Sequence, residues 1–200
     1  KHYLSTYLLY NNQDVLSADG TLVQQDDKNL MDINANITRL PLSIANAFVP
    51  DQMATLNGNA EGELLVGGSM EQPVLNGNLS LDSANVYVKM LGARYWLDRR
   101  PIRFEDNRLL FDKFSIYTTS PNPFAIDGYV DFRNMERPTA NLTLQARNYT
   151  LLNAKQTRES LVYGKVLVDL MGTVSGPLDA LKMRGNMNLL GTTDVTYVLT

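Results

Sequence analysis

The chain has 200 residues, of which 44% are hydrophobic and 20% charged, a composition that folds and is not that of a disordered segment. Net charge is -3 with Lys and Arg scattered, so no basic patch points to nucleic acid as a partner. There is no cysteine and one histidine, His2, which removes disulfides, thiolate metal sites and cysteine nucleophiles and leaves histidine chemistry almost nothing to work with.

Lys1 opens directly onto strand-like sequence, with no apolar leader and no apolar run of transmembrane length in the chain. The sequence therefore reads as a piece of a longer protein. Residues 1–55 are expected to form opening strands, with the polar Gln24–Asn29 as a turn. Within them Ser43–Val49, bracketed by Pro41 and Pro50, reads as a single turn packed over a sheet edge, with a short helix capped by Ser43, at most one in the chain, as the alternative.

From residue 56 onward, period two dominates. Leu56, Ala60, Leu64 and Val66 alternate with Asn57, Asn59, Glu61 and Glu63. Past Pro73, Leu75, Leu79 and Leu81 alternate with Asn76, Asn78, Ser80 and Asp82, and Val86 and Val88 follow. Phe124, Ile126, Val130 and Phe132 form the next apolar set, after the turn Ser120–Pro123; Ala140, Leu142, Leu144 and Ala146 form another. Asn153–Glu159 is polar and reads as the longest loop. Val162, Val166, Val168, Leu170 and Val174, then Leu181, Met183, Met187 and Leu189, complete the pattern, and Val195–Thr200 reads as a strand. Successive side chains on a strand point to opposite faces, so each run has one apolar and one polar face. An all-β chain of about 12 to 16 strands is expected at ~3.3 Å per residue.

Residues 62–88 and 164–198 share a plan of strand, glycine, proline-bearing turn, then Gly-Asn-apolar-polar-apolar, as successive hairpins on an elongated sheet do. Glycines inside strands, such as Gly62 and Gly77, fit bulges or tight curvature.

Residues of catalytic type read as parts of solvated strand faces and turns. Glu61 with Glu63 and Asp127 with Asp131 are carboxylate pairs on a wet strand face, with no convergent partner. Asp26-Asp27 and Asp106-Asn107 lack the spacing of a calcium loop and read as turns. Gly62–Gly68 lacks the lysine and helix of a phosphate loop. No catalytic residue, metal site or cofactor is expected. Tyr87, Tyr95, Trp96, Tyr117 and Tyr129 form a loose aromatic group that strand propensity explains, with stacking on sugars or lipid headgroups as the alternative. Arg94, Arg99, Arg100, Arg103 and Arg108 are expected on a solvated sheet edge, with phosphate binding at a rim as the alternative.

One ordered series of motifs goes further. Gly67–Gly77, Asp82-Ser83-Ala84-Asn85-Val86, Tyr95-Trp96-Leu97 to Ile102-Arg103-Phe104, Phe124–Gly128, Tyr163-Gly164-Lys165-Val166 to Gly176-Pro177, and Asp194–Leu199 together resemble the TamB family of Gram-negative envelope proteins, near its C-terminal domain and its Bacteroidetes branch. Most of the chain from about residue 56 carries the resemblance. It implies a segment of an inner-membrane-anchored periplasmic protein, related to AsmA-like and bridge-like lipid transfer proteins. The implied fold is a curved antiparallel sheet forming a U-shaped trough, or β-roll, with an apolar interior. The implied partners are phospholipid acyl chains and an outer-membrane barrel of the TamA/BamA type. The residues then expected to line the groove are Leu56, Leu64, Val66, Leu75, Leu79, Leu81, Val86, Val88, Phe124, Ile126, Val130, Phe132, Leu142, Leu144, Val166, Val168, Leu170, Val174, Met183, Met187 and Leu189. Asp82-Ser83-Ala84 also resembles a short O-glycosylation acceptor, which makes Ser83 a candidate modification site. The alternating residues by themselves do not separate an open trough from a filled sandwich.

Overall fold

The computed structural model describes residues 1–25, 28–49, 53–156 and 162–197. The described residues build one sheet of thirteen strands. They are β1 (His2–Tyr10), β2 (Gln13–Gln25), β3 (Lys28–Pro41), β4 (Ala54–Gly68), β5 (Pro73–Val88), β6 (Ala93–Leu97), β7 (Ile102–Glu105), β8 (Arg108–Tyr117), β9 (Phe124–Asp131), β10 (Thr139–Ala154), β11 (Val162–Pro177), β12 (Lys182–Leu189) and β13 (Asp194–Tyr197). Every pairing is antiparallel, and strands lie in the sheet nearly in chain order. The sheet runs unbroken across residue 55, because β3 pairs with β4.

Two tight reversals come from residues that tolerate left-handed backbone. Asn11-Asn12 joins β1 to β2 and Asp106-Asn107 joins β7 to β8, all four at φ between 46° and 62°. That is the two-residue turn whose twist matches a hairpin's. Asn107 reads as a turn residue, as expected, and adds a clasp: its Oδ1 accepts from the Leu75 amide at 2.6 Å and its Nδ2 donates to the Pro73 carbonyl at 2.7 Å.

β6 and β7 act as one interrupted strand along β5: Asn85–Val88 pair with β6 and Gly77–Leu79 with β7. β12 and β13 divide β11 in the same way, so the two echoing sequence segments are the β4–β5 hairpin and the β11 to β12/β13 hairpin. Register shifts fall at Gly58 opposite Ser83, at Asp112-Lys113 and at Arg147-Asn148. Each bulge adds a residue on one strand and sharpens twist and bend there, which is what curls a sheet this wide. The bulge residues Lys113 and Asn148 have φ of 47° and 45°, and their amides are held by the carboxylates of Asp127 and Asp169 across the strand pair.

The segment expected as a turn over a sheet edge is helical, but not as the capped helix of the alternative. It is a 3-10 helix, Leu42–Phe48, and Ser43 does not cap it. Asn46 is the anchor: its amide both donates to and accepts from the backbone of Leu56, so the helix takes the place of a neighbouring strand where β3 stops. A second 3-10 turn, Lys89–Leu91, also departs from the expectation of one helix. β10 continues through Ala154, so the start of the predicted loop at Asn153 is strand. Asp26-Asp27, Pro50, Thr157–Glu159 and the end of the last strand at Val198–Thr200 lie outside the described residues.

Candidate functional site: the apolar face of the sheet

Strand pairing fixes which side chains share a face. One row, followed from partner to partner, is Thr6, Ala18, Ala35, Leu64, Gly77, Phe104, Leu109, Val130, Ala140, Gly176. The adjacent row on the other face is Tyr7, Ser17, Asn36, Glu63, Asn78, Arg103, Leu110, Tyr129, Asn141, Ser175, Lys182. A shift of one residue therefore exchanges an apolar surface for a polar one across almost the whole sheet.

The predicted lining residues share the apolar face but not one environment. Val130, Leu144, Val168 and Val174 are buried. Met183, Met187 and Leu189, on β12, are exposed. The rest are half-buried. Residues that alternation did not reveal join them: Leu97, Ile102 and Phe104 from β6 and β7, Leu109, Phe111, Phe114 and Ile116 from β8, and Tyr149 and Leu152 from β10.

The two ends of this face are unlike. At one end the sheet closes on itself. Ala93 on β6 packs in a buried cluster with Leu152 and Ala154 on β10, flanked by Leu91, Tyr95, Val162 and Val166. The small residues let the walls meet, and the Tyr95 hydroxyl donates to the Leu151 carbonyl at 2.9 Å across the junction. Burial raises the pKa of Tyr95 above the ordinary phenol value. A second cluster, Ala146, Tyr149 and Val168 with Phe124, Val166 and Leu170, continues the closure. Tyr149 is 2% exposed; its ring lies 5.7 Å from that of Phe124, and burial raises its pKa strongly. Away from this junction an apolar cavity of about 370 Å³ is lined by Val66, Pro73, Leu75, Phe104, Asn107, Phe132 and Met135.

The polar face holds the charges. Arg99 pairs with Asp82, Arg100 with Asp98 at 3.4 Å, Arg103 with Glu105 at 3.2 Å and Arg108 with Asp131 at 3.0 Å. These arginines sit on strands and connections in the middle of the sheet, so the expected placement at a sheet edge is corrected. Glu61 and Glu63 are exposed on this face, and Glu63 accepts from Asn34. Ser83 is the exposed bulge residue of β5, at φ 52°, with its hydroxyl 3.3 Å from the Asp82 carboxylate.

Asp131 gives a pH prediction. The Arg133 side chain donates to it, opposed in part by burial, and Arg108 adds a further bond; together they hold its carboxyl far below the usual carboxylate range. A depressed carboxylate stabilises the fold above its unfolded value of ~3.9 and loses that contribution as pH falls toward the folded value. Acid unfolding should therefore steepen below about pH 4. Asp131→Asn should flatten that limb while costing about 1 kcal/mol at neutral pH, as read by urea melts at a series of pH values.

No family model matches the chain, and no solved structure matches it. The translocation and assembly module subunit TamB of Haemophilus influenzae is 29% identical over 156 residues. The match covers 72% of this chain and 12% of that protein, so the chain spans a small part of its relative. Together with the antiparallel sheet that the motif series implied, that similarity supports a relationship of this chain to the TamB family.

Proposed function

We propose that the chain is a segment of a bacterial envelope protein of the translocation and assembly type, whose apolar face carries phospholipid acyl chains between the inner and outer membranes and so supports outer-membrane protein assembly. The relative is by name a subunit of such a module. The observation that carries the reading is the apolar row from Ala18 to Gly176 on a face whose lining is mostly half-buried. An alternating sheet must cover its apolar face, and where protein does not, an acyl chain gains ~0.8 kcal/mol for each methylene taken from water. The polar row beside it keeps the outer surface wet. On this reading the segment works as a conduit and not as a catalyst, with its membrane attachment elsewhere in the protein.

Leu79 and Asn78 are neighbours on opposite faces of β5, so they test the reading directly. A photo-crosslinking residue at Leu79 should capture phospholipid in cells, and the same residue at Asn78 should capture little. Equal capture at both positions would refute the groove.

A second reading has its own observation. β1 is exposed along its whole length, and so is β12. Such strands can add an extended segment by main-chain pairing, which suits an outer-membrane barrel of the TamA/BamA type or its nascent strands. Crosslinks to protein at β1 or β12, with no lipid at Leu79, would favour it.

A further inference from the structure

One patch of the polar face is unlike the rest. Strand pairing sets Asn57, Asn85, Trp96 and Tyr117 in a single row across β4, β5, β6 and β8, with Tyr87 and Arg94 as the cross-strand pair beside it. Asn85 is only 5% exposed and organises the patch from below. Its Oδ1 accepts from Arg94 Nη1 at 2.6 Å and from Asn57 Nδ2 at 3.4 Å, and its Nδ2 donates to the Ser83 carbonyl at 3.1 Å. The Arg94 guanidinium lies 5.7 Å from the Tyr87 ring centre and 5.9 Å from that of Trp96. The neighbouring Arg99, Arg100, Arg103 and Arg108 are each paired with a carboxylate; Arg94 has none among the described residues. It is thus a guanidinium held in place by two rings and a buried amide, with donors left over for a planar anion.

We propose that this patch binds a carboxylated glycan. Trp96, 45% exposed, offers a ring face for the C–H face of a sugar, and Tyr117 lies next to it in the row. The carboxylate of the sugar takes the free edge of Arg94 in a bidentate pair. The Asn57 amide both donates and accepts, which matches hydroxyl and acetamido groups. A protein partner fits less well. A stable protein interface buries about 800 Å² on each side around an apolar centre. Here the rings pair directly with Thr55, Asn85 and Arg94, so no apolar centre of that size exists. A bare inorganic anion would use Arg94 and leave the rings without a role. The patch lies on the polar face, so it is independent of whatever occupies the apolar face.

Trp96 is the only tryptophan, so intrinsic fluorescence reports on the patch directly. The protein is titrated with two carboxylated glycans, polygalacturonate oligomers and solubilised peptidoglycan strands. Neutral chitin oligosaccharides and polyglutamate serve as controls. A saturable fluorescence change is expected with at least one carboxylated glycan, and which one responds distinguishes a uronate from a lactyl-ether carboxylate. Chitin oligosaccharides should bind at least tenfold more weakly, and polyglutamate should give no saturable change. Arg94→Gln should weaken binding at least tenfold. Arg94→Lys keeps the charge but not the fork, so it should lose less; it also stands in where Arg94→Gln alters the β-sheet circular dichroism. Lipid capture at Leu79 should be the same in both variants. No response to either carboxylated glycan would overturn the proposal. So would an equal response to polyglutamate, which would assign the patch to acidic peptide, or binding that Arg94→Gln leaves intact.

Discussion

Gly77→Val should destabilise the protein by about 3 kcal/mol or more, while Gly67→Val, ten residues earlier on the partner strand, should stay within about 0.5 kcal/mol. Gly77 has φ of 132°, a region that side chains with a Cβ avoid, and a Cβ there would run into the Glu63 carbonyl oxygen of β4. Gly62 meets Asn78 in the same way from the other strand, so the two glycines let β4 and β5 approach closely and bend together. The obstacle is backbone on the neighbouring strand, which cannot move aside without breaking the ladder. At Gly67 the nearest atom to an added Cβ is the Met31 carbonyl oxygen at 3.9 Å, an ordinary contact, and φ is not positive. Urea unfolding followed by far-ultraviolet circular dichroism compares the two. Equal losses would mean that β-branching on this hairpin, and not the close approach at Gly77, sets the cost.

The same hairpin shows why part of the architecture was legible in the sequence. Where strands run without interruption, as from Ala60 to Val66 or Ala140 to Ala146, period two in the sequence is period two in space, and face assignment follows. β8 defeats that logic. Its apolar face takes Leu109 and Phe111, then Phe114 and Ile116, because the bulge at Asp112-Lys113 shifts the parity by one. Read as a uniform alternation, residues 108–117 show no face at all. Tyr149 and Leu152 are hidden in the same way behind the bulges of β10. A pair of half-runs offset by one residue is the signal that finds such strands. The meeting of Ala93 and Tyr95 with Leu152 and Val166 had no sequence signal, because it joins strands that are not neighbours in the sheet. The Arg94 patch escaped for a related reason: its row draws one residue from each of four strands, and only the register puts them side by side. The arginines themselves were visible; their place in mid-sheet depends on β6 and β7 sharing one side of β5.

Tyr149→Ala should cost about 3 to 5 kcal/mol, and Leu79→Ala on the same face should cost much less. The difference follows from what each side chain rests against. Tyr149 and Val168 are the largest fully buried side chains, and Tyr149 packs among Ala146, Val168 and Phe124 just where the sheet closes. Truncation there leaves a cavity in a region whose walls are strands held in register on both sides, so collapse is limited and most of the lost packing goes unrecovered. Leu79 is half-buried and belongs to neither buried cluster, and its truncation removes area that the fold never fully covered. Tyr149→Phe removes only the hydroxyl and should cost no more than about 1 kcal/mol. On the proposed reading, the pattern of these three losses has a functional meaning. A sheet that filled its whole apolar face with its own side chains would be more stable and would hold nothing. Concentrating the packing energy at the closed end, through Tyr149, Leu152 and Val168, allows the face around Leu79 and the cavity at Val66, Phe104 and Phe132 to stay unfilled at little cost to folding. Thermal melts of the three variants give the ranking. If Leu79→Ala proves as costly as Tyr149→Ala, the open end is packed as tightly as the closed one, and the apolar face has no room for a guest.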